Sequence, residues 1–174
     1  MMCLACYTVA VIPSSEMKDL FSAQSTDYAR FRPTYPHLLF QHLASLLDQH
    51  DLAWDCGTGN VQTAVFLAET FERVIATDPS AKQISGAKRH PKVDYRVGTA
   101  ERSTLPNASV DLITAAQAFH WFKSDVFFLE ADRVLKPGAV LAFWCYELCL
   151  ISPEVDVIRP VRWKLSLRVG RKPK

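Results

Sequence analysis

The amino-acid sequence predicts one α/β domain in which a mostly parallel, doubly wound sheet carries helices on both faces. Short apolar strands alternate with segments of helical periodicity, which is the pattern of consecutive β-α-β units. The 174 residues suffice for about one domain, and 49% of them are hydrophobic, as in ordinary globular proteins. No apolar run approaches the roughly 18 residues of a membrane span, so we expect no transmembrane helix.

The first half of the domain is predicted from three features: leucines at helical spacing, apolar strands followed by glycines, and polar helix caps. Pro36 suits the first turn of a helix because its fixed φ is already helical. The predicted elements are a helix from Pro36, a buried strand at Leu52–Trp54 ending at Asp55, a helix to Thr70, a strand at Arg73–Thr77 ending at Asp78, and a helix at Ser80–Lys88 with Ser80 as N-cap.

Three further strands and one amphipathic helix are predicted in the second half. The strands are Val93–Val97, Val110–Ala116 and Ala139–Cys145, and the last of these is the most apolar. The helix covers Ser124–Leu135, and Lys136–Gly138 has the composition of a turn that ends it.

The order of these elements predicts where a ligand binds. Right-handed crossovers in a doubly wound sheet put the first strand at the centre, next to the fourth. Ligands of such sheets bind at the carboxyl ends of the strands, where the winding reverses. The loop Asp55–Asn60 and the segment Gln117–Trp121 should therefore face one crevice.

Two acidic residues and a glycine loop belong to this crevice. Gly57 and Gly59 tolerate positive φ and let the backbone approach a ligand, and the next helix offers free N–H groups. Asp78 follows Asp55 by 23 positions, near the roughly 20 residues typical of a carboxylate that binds a ribose diol. Capping of the next helix is the alternative role of Asp78.

The loop favours a cationic ligand over a pyrophosphate. A nicotinamide-dinucleotide fingerprint has a third glycine, and Gln62 stands at that position. The Asp55 carboxylate would repel a pyrophosphate, whereas it would attract an ammonium group. A nucleoside that carries an amino acid suits both Asp55 and Asp78, and S-adenosylmethionine is that molecule.

Six motifs follow one another at family-like spacings: Tyr28–Pro36, Asp55–Asn60, Ile75–Asp78, Gly98–Glu101, Ala118–Phe122 and Leu135–Gly138. With them the chain resembles the class I S-adenosylmethionine-dependent methyltransferases, which have a Rossmann-like fold. The similarity is to the small-molecule, type 11 branch that includes trans-aconitate methyltransferase-like proteins. It extends from about Phe21 to Tyr146.

The resemblance implies which residues bind S-adenosylmethionine. Ala100 and Glu101 would lie beside the adenine, Gln117 would face the sulfonium, and Tyr28 and Arg32 would close the pocket. Simple packing is the alternative role of Tyr28. The full implied set is Tyr28, Arg32, Asp55, Gly57, Thr58, Gly59, Asp78, Ala100, Glu101 and Gln117.

His120 and Trp121 are the candidate substrate residues, because the topology puts them on the crevice side. Methyl transfer needs in-line placement of the acceptor more than it needs a protein nucleophile. His120 is the available base if the acceptor must lose a proton, and substrate positioning is its alternative role. Trp121 would form a wall or lid.

The chain departs from the family pattern at Val61 and after the fifth strand. A glycine commonly stands at the position of Val61, and a β-branched side chain there could crowd the ligand or the helix–strand packing. The family usually adds two more strands, so we expect the C-terminal strands to be incomplete. Residues 161–169 alternate apolar and polar, which predicts an edge strand beside the fifth; a disordered tail of foreign sequence is the alternative.

These observations divide the chain into three parts. Residues 1–16 form a non-core leader, and we hypothesise that Met17 is the natural start. Residues 17–146 form the S-adenosylmethionine-binding domain. Residues 147–174 form an atypical basic tail, since seven of the 20 Lys and Arg residues follow Ile158. Solvated charge explains this tail, so we do not expect a nucleic-acid partner.

Five cysteines indicate free thiols in a cytoplasmic protein. Their spacing does not favour a metal site, and Cys145 is expected as a small buried hydrophobe. The predicted function is methyl transfer from S-adenosylmethionine to a small-molecule acceptor, with the oligomeric state open. The alternatives are a truncated form that binds the cofactor without turnover, and a nicotinamide-dependent oxidoreductase.

Overall fold

A computed structural model describes residues 35–59, 61–146 and 165–174, all within the unit Pro33–Lys174. The described strands are β1 (Leu52–Cys56), β2 (Arg73–Asp78), β3 (Val93–Val97), β4 (Val110–Ala116), β5 (Leu135–Tyr146) and β6 (Leu165–Arg171). They form one sheet in the order β3-β2-β1-β4-β5-β6. The first five strands are parallel and β6 is antiparallel to β5. The predicted fold class is confirmed, with β1 at the centre beside β4.

The described helices lie on both faces of the sheet. They are α1 (His37–Ser45), α2 (Gln62–Leu67), α3 (Ala81–Ser85) and α4 (Ser124–Val134), with a 3₁₀ helix at Phe119–Trp121. Alternate strand residues point to opposite faces. Ala53 and Leu112 join the core that includes residues of α1 and α2, whereas Trp54 and Ile113 join the core against α4.

Two sequence predictions about β5 are wrong. Lys136–Gly138 lies inside β5 rather than in a turn, because β5 pairs with β4 on both sides of these residues across a register shift. Gly138 has φ +80° in this irregular stretch and donates its N–H to the Lys172 carbonyl. Cys145 is exposed, because Trp144 takes the buried position and Cys145 faces the opposite side of the strand.

β6 covers the edge of β5. It pairs with β5 from Tyr146 opposite Leu165 to Val140 opposite Arg171. Leu165 and Leu167 pack against the core that contains α1. The predicted strand 161–169 overlaps β6 from Leu165 onward, and its residues 161–164 lie outside the described residues, as do the expected leader 1–16 and residues 147–164 of the tail. Within the described residues, no helix is long and apolar enough to cross a membrane.

A carboxylate on α4 should make the stability of the fold depend on pH. Glu130 accepts hydrogen bonds from the Ser103 N–H at 2.6 Å and from both the Nε (2.8 Å) and an Nη (2.7 Å) of Arg133. Arg133, reinforced by Ser103, lowers the pKa of the Glu130 carboxyl from 4.5 to about 2. The ionised carboxylate is therefore held more strongly in the folded state than in the unfolded chain.

We expect Glu130→Gln to lower the free energy of unfolding by about 2 kcal/mol at pH 7. The contribution of the carboxylate is complete above pH 4.5 and is lost as the pH falls towards 2, so the difference between variant and wild type should shrink over that interval. Urea titrations at pH 7, 4 and 3 measure this difference in the free energy of unfolding. Asp125→Asn, an exposed change in the first turn of the same helix, is the control. Parallel stability curves for wild type and Glu130→Gln would contradict the prediction.

Candidate active site

The loop after β1 turns sharply at two glycines. Gly57 has φ +64° and Gly59 has φ +53°, as the sequence predicted for a loop of this kind. The Thr58 N–H donates to the Thr77 carbonyl at 3.0 Å, which ties the loop to the end of β2. Cys56 precedes the loop. Burial raises the pKa of its thiol well above the ordinary value, and the negative charge of Asp55 raises it further. The thiol is therefore no nucleophile at neutral pH.

The two glycines meet different surroundings. A Cβ added at Gly57 would lie 2.6 Å from the Cβ of Ala118, so this loop packs directly on the segment after β4. A Cβ added at Gly59 would meet no heavy atom within 4 Å among the described residues. The backbone at Gly57 and the segment after β4 thus meet at one edge of the sheet, and no described atom fills the space beside Gly59.

Asp55 is held from two sides by hydroxyl groups. Its side chain is 1% exposed. The Thr58 Oγ1 donates to Oδ2 at 2.6 Å, and the Thr114 Oγ1 donates to Oδ1 at 2.7 Å. Thr114 lies directly opposite Asp55 in the pairing of β1 with β4. A carboxylate can accept about four hydrogen bonds, and these two hydroxyls are two of the donors to Asp55.

Asp78 connects the glycine loop to the next helix. Its Oδ2 accepts from the Gly59 N–H at 2.9 Å, and its Oδ1 accepts from the Ser80 N–H at 2.9 Å. Ser80 itself is the N-cap of α3, because its hydroxyl accepts from the Gln83 N–H. Asp78 therefore orders the backbone on both sides of the crevice and keeps lone pairs for a further donor.

Gln117 follows β4 in a strained conformation. Its φ is +57°, which non-glycine residues rarely adopt, and its N–H donates to the Trp144 carbonyl at 2.9 Å. Its side-chain Nε2 is buried and has no hydrogen-bond partner among the described residues. A buried donor without a partner costs free energy, and strain of this kind concentrates at functional sites.

The expected adenine residues differ in their surroundings. Ala100 is buried in the core against α4. Glu101 is half-buried, and its Oε1 accepts from the Lys123 N–H at 2.9 Å, next to the start of α4. Val97, which the sequence reasoning did not single out, ends β3 opposite Asp78 and is 59% exposed. Its position at the carboxyl end of the strand beside β2 was the signal that could have identified it.

His120 and Trp121 lie on the 3₁₀ helix after β4. Both are exposed, and their ring centroids are 4.8 Å apart. The protein atoms that surround the imidazole desolvate its charged form and lower the pKa of His120. The neutral imidazole therefore predominates at pH 7, which is the form that accepts a proton.

Val61 has left-handed backbone dihedrals, with φ 67° and ψ 16°, at the N-terminus of α2. This conformation is a genuine outlier for a β-branched residue. Its side chain is 1% exposed and belongs to the core with α1. Val61 therefore combines backbone strain with core packing. A glycine at this position would relieve the backbone strain, but it would also remove the side chain from the core.

Three expected site features lie beyond what the structure describes: Tyr28, Arg32 and Asn60. Thr114, which sequence reasoning missed, is a polar residue in an otherwise apolar strand segment, and only the strand register brings it to Asp55. The part of the chain that the structure describes contains no group of three His, Cys, Asp or Glu side chains suited to a metal ion.

Comparison with known proteins identifies the family. Residues 54–143 match the family described as a methyltransferase domain. A Dictyostelium discoideum protein named as a methyltransferase is 42% identical over 143 residues, which are 82% of this chain and 54% of that protein. The ubiquinone/menaquinone biosynthesis C-methyltransferase of Rubrivivax gelatinosus is 39% identical over 102 residues, or 57% of this chain and 39% of that protein. The chain spans about half the length of the first curated relatives it matches.

A solved structure gives the same result. A type II methyltransferase from Anaeromyxobacter dehalogenans has a TM-score of 0.66 and 51% sequence identity, covering 72% of this chain and 54% of that chain. The family match begins in β1 and ends in β5, so it contains the glycine loop, both aspartates and the segment after β4. The chain belongs to the methyltransferase domain family and has the fold of the class I S-adenosylmethionine-dependent methyltransferases.

Proposed function

We propose that the chain binds S-adenosylmethionine at the carboxyl edge of β1, β2 and β4 and transfers a methyl group to a small-molecule acceptor. The single observation that carries the proposal is the pair of carboxylates beside the glycine loop. Asp55 is the second-last residue of β1 and Asp78 the last residue of the neighbouring strand β2, and the Gly59 N–H donates to Asp78 at 2.9 Å. One carboxylate suits the ammonium of the ligand and the other its ribose diol.

The residues present fit this cofactor in two further respects. No described residue fills the space beside Gly59, so a ligand could contact the loop backbone there, which a side chain would obstruct. The buried Nε2 of Gln117 needs an acceptor, and the carboxylate or hydroxyl oxygens of the ligand can supply one. In the proposed arrangement Thr58 and Gly57 line the methionine part, Ala100 and Glu101 the adenine, and Tyr28 and Arg32 close the pocket.

The chemistry requires orientation more than a covalent step by the protein. When bound, the cofactor supplies an electrophilic methyl group on a positively charged sulfur. The 3₁₀ helix after β4 would hold the acceptor in line with that sulfur, with Trp121 as a wall. If the acceptor loses a proton, neutral His120 accepts it at a ring nitrogen. Family membership argues against the nicotinamide-dependent alternative, which sequence reasoning had left open.

Calorimetric titration of the full chain with S-adenosylhomocysteine, S-adenosylmethionine and NAD tests the proposal. We expect the first two ligands to bind one site each and NAD not to bind. Methylation of a small-molecule panel, including quinone precursors, then tests turnover. Binding of NAD alone would overturn the proposal, and binding of S-adenosylhomocysteine without methylation of any acceptor would favour the inert alternative.

A further inference from the structure

Thr114 is a buried polar residue in the middle of the sheet. It lies on β4, is 0% exposed, and is flanked by β1 on one side and by Ala142 of β5 on the other. Its hydroxyl donates to the Asp55 Oδ1 at 2.7 Å, while the Thr58 hydroxyl holds the other oxygen at 2.6 Å. The two hydroxyls therefore hold the carboxylate from the sheet and from the loop.

We propose that Thr114 is a positioning residue that orients the Asp55 carboxylate towards the ammonium group of the bound amino-acid nucleoside. This inference rests on the proposed function and deepens it by assigning the amino-acid end of the ligand to the Thr114–Asp55 pair. Thr114 does not touch the ligand. It acts because a carboxylate oxygen that accepts one bond from a fixed strand cannot rotate away from the crevice.

The geometry favours this role over a merely structural one. Val is nearly isosteric with Thr and is itself a good strand residue, so the sheet does not need the hydroxyl for packing. The row of side chains on this face has Ala76 beside Asp55 and Ala142 beside Thr114. Small neighbours do not fix the carboxylate by contact, so hydrogen bonds, the one from Thr114 among them, have to orient it.

The test compares two ligands that share adenosine and differ in the amino acid. S-adenosylhomocysteine carries the ammonium group, and 5′-methylthioadenosine lacks the whole amino-acid part. In Thr114→Val, we expect S-adenosylhomocysteine to bind roughly tenfold more weakly, as for loss of one hydrogen bond to a charged group, while the affinity for 5′-methylthioadenosine stays within twofold. Thr114→Ser, which keeps the hydroxyl, should keep most of the wild-type preference for S-adenosylhomocysteine over 5′-methylthioadenosine.

Thr77→Val is the matched control, because it also removes a buried strand hydroxyl, one that accepts from the Trp54 Nε1 instead of donating to Asp55. We expect it to leave the ratio of the two affinities unchanged, and thermal unfolding monitors the fold of each variant. Equal weakening of both ligands in Thr114→Val, or no change in either, would overturn the positioning role. Failure of the wild-type chain to bind either ligand would instead overturn the proposed function.

Discussion

Gly57→Ala should lower the free energy of unfolding by about 3 kcal/mol or more. The added Cβ would lie 2.6 Å from the Ala118 Cβ, so the loop or the segment after β4 must shift. Overpacking of this kind costs about 1–3 kcal/mol, and φ +64° adds roughly 1–2 kcal/mol for any residue with a Cβ. Chemical denaturation monitored by tryptophan fluorescence measures the loss, since Trp54 is fully buried on the strand before the loop.

Gly59→Ala is the matched control, because it adds the same methyl group in the same loop. Its φ of +53° imposes a similar backbone strain of about 1–2 kcal/mol, but the new Cβ meets no described atom within 4 Å. We expect this variant to stay folded and to bind S-adenosylhomocysteine at least tenfold more weakly, because the methyl group enters the open space proposed for the ligand. Equal stability losses in the two variants would show that the contact with Ala118 does not govern the loop.

The strand order and the meeting of the glycine loop with the segment after β4 were predictable from the sequence, because both follow from local patterns. Each parallel strand contains a short segment rich in apolar residues, and the fixed hand of the crossovers leaves few possible orders. Asp55 and Asp78 each end an apolar segment, so the carboxyl edge follows directly. The tight turn at Gly57 and Gly59 was predictable for the same reason, since left-handed backbone favours glycine.

Other features depend on register and packing, which no local pattern determines. Lys136–Gly138 has turn composition, yet β5 pairs with β4 on both sides of it, and the Gly138 N–H donates to the Lys172 carbonyl, so it stays in a strand. Thr114 meets Asp55 only because β1 and β4 pair in one particular register. Gln117 and Val61 take positive φ although their residue types disfavour it, so the surrounding structure must determine their conformation.

The proposed function gives the two carboxylates separable tasks, and the second large effect follows from the task proposed for Asp78. Asp78→Asn should weaken binding of S-adenosylhomocysteine about 100-fold. The variant loses the charge that favours the ribose hydroxyls, and an amide NH₂ would face either the Gly59 N–H or the Ser80 N–H, each of which now donates at 2.9 Å. Loss of the two charge-assisted hydrogen bonds that the ribose hydroxyls would donate to the carboxylate, at about 1.5 kcal/mol or more each, corresponds to this 100-fold factor.

A second probe separates the ribose contact from the ordering of the loop. If Asp78 binds the diol, wild type should prefer adenosine over 2′,3′-dideoxyadenosine, and Asp78→Asn should abolish the preference. Asp94→Asn is the control, because it makes the same change on the adjacent strand β3, where the carboxylate pairs with Arg96 at 2.7 Å. We expect that control to keep the ligand preference of wild type. A preference that persists in Asp78→Asn would limit Asp78 to holding the Gly59 and Ser80 backbone, and the ribose would then need another partner at the end of β2 or β3.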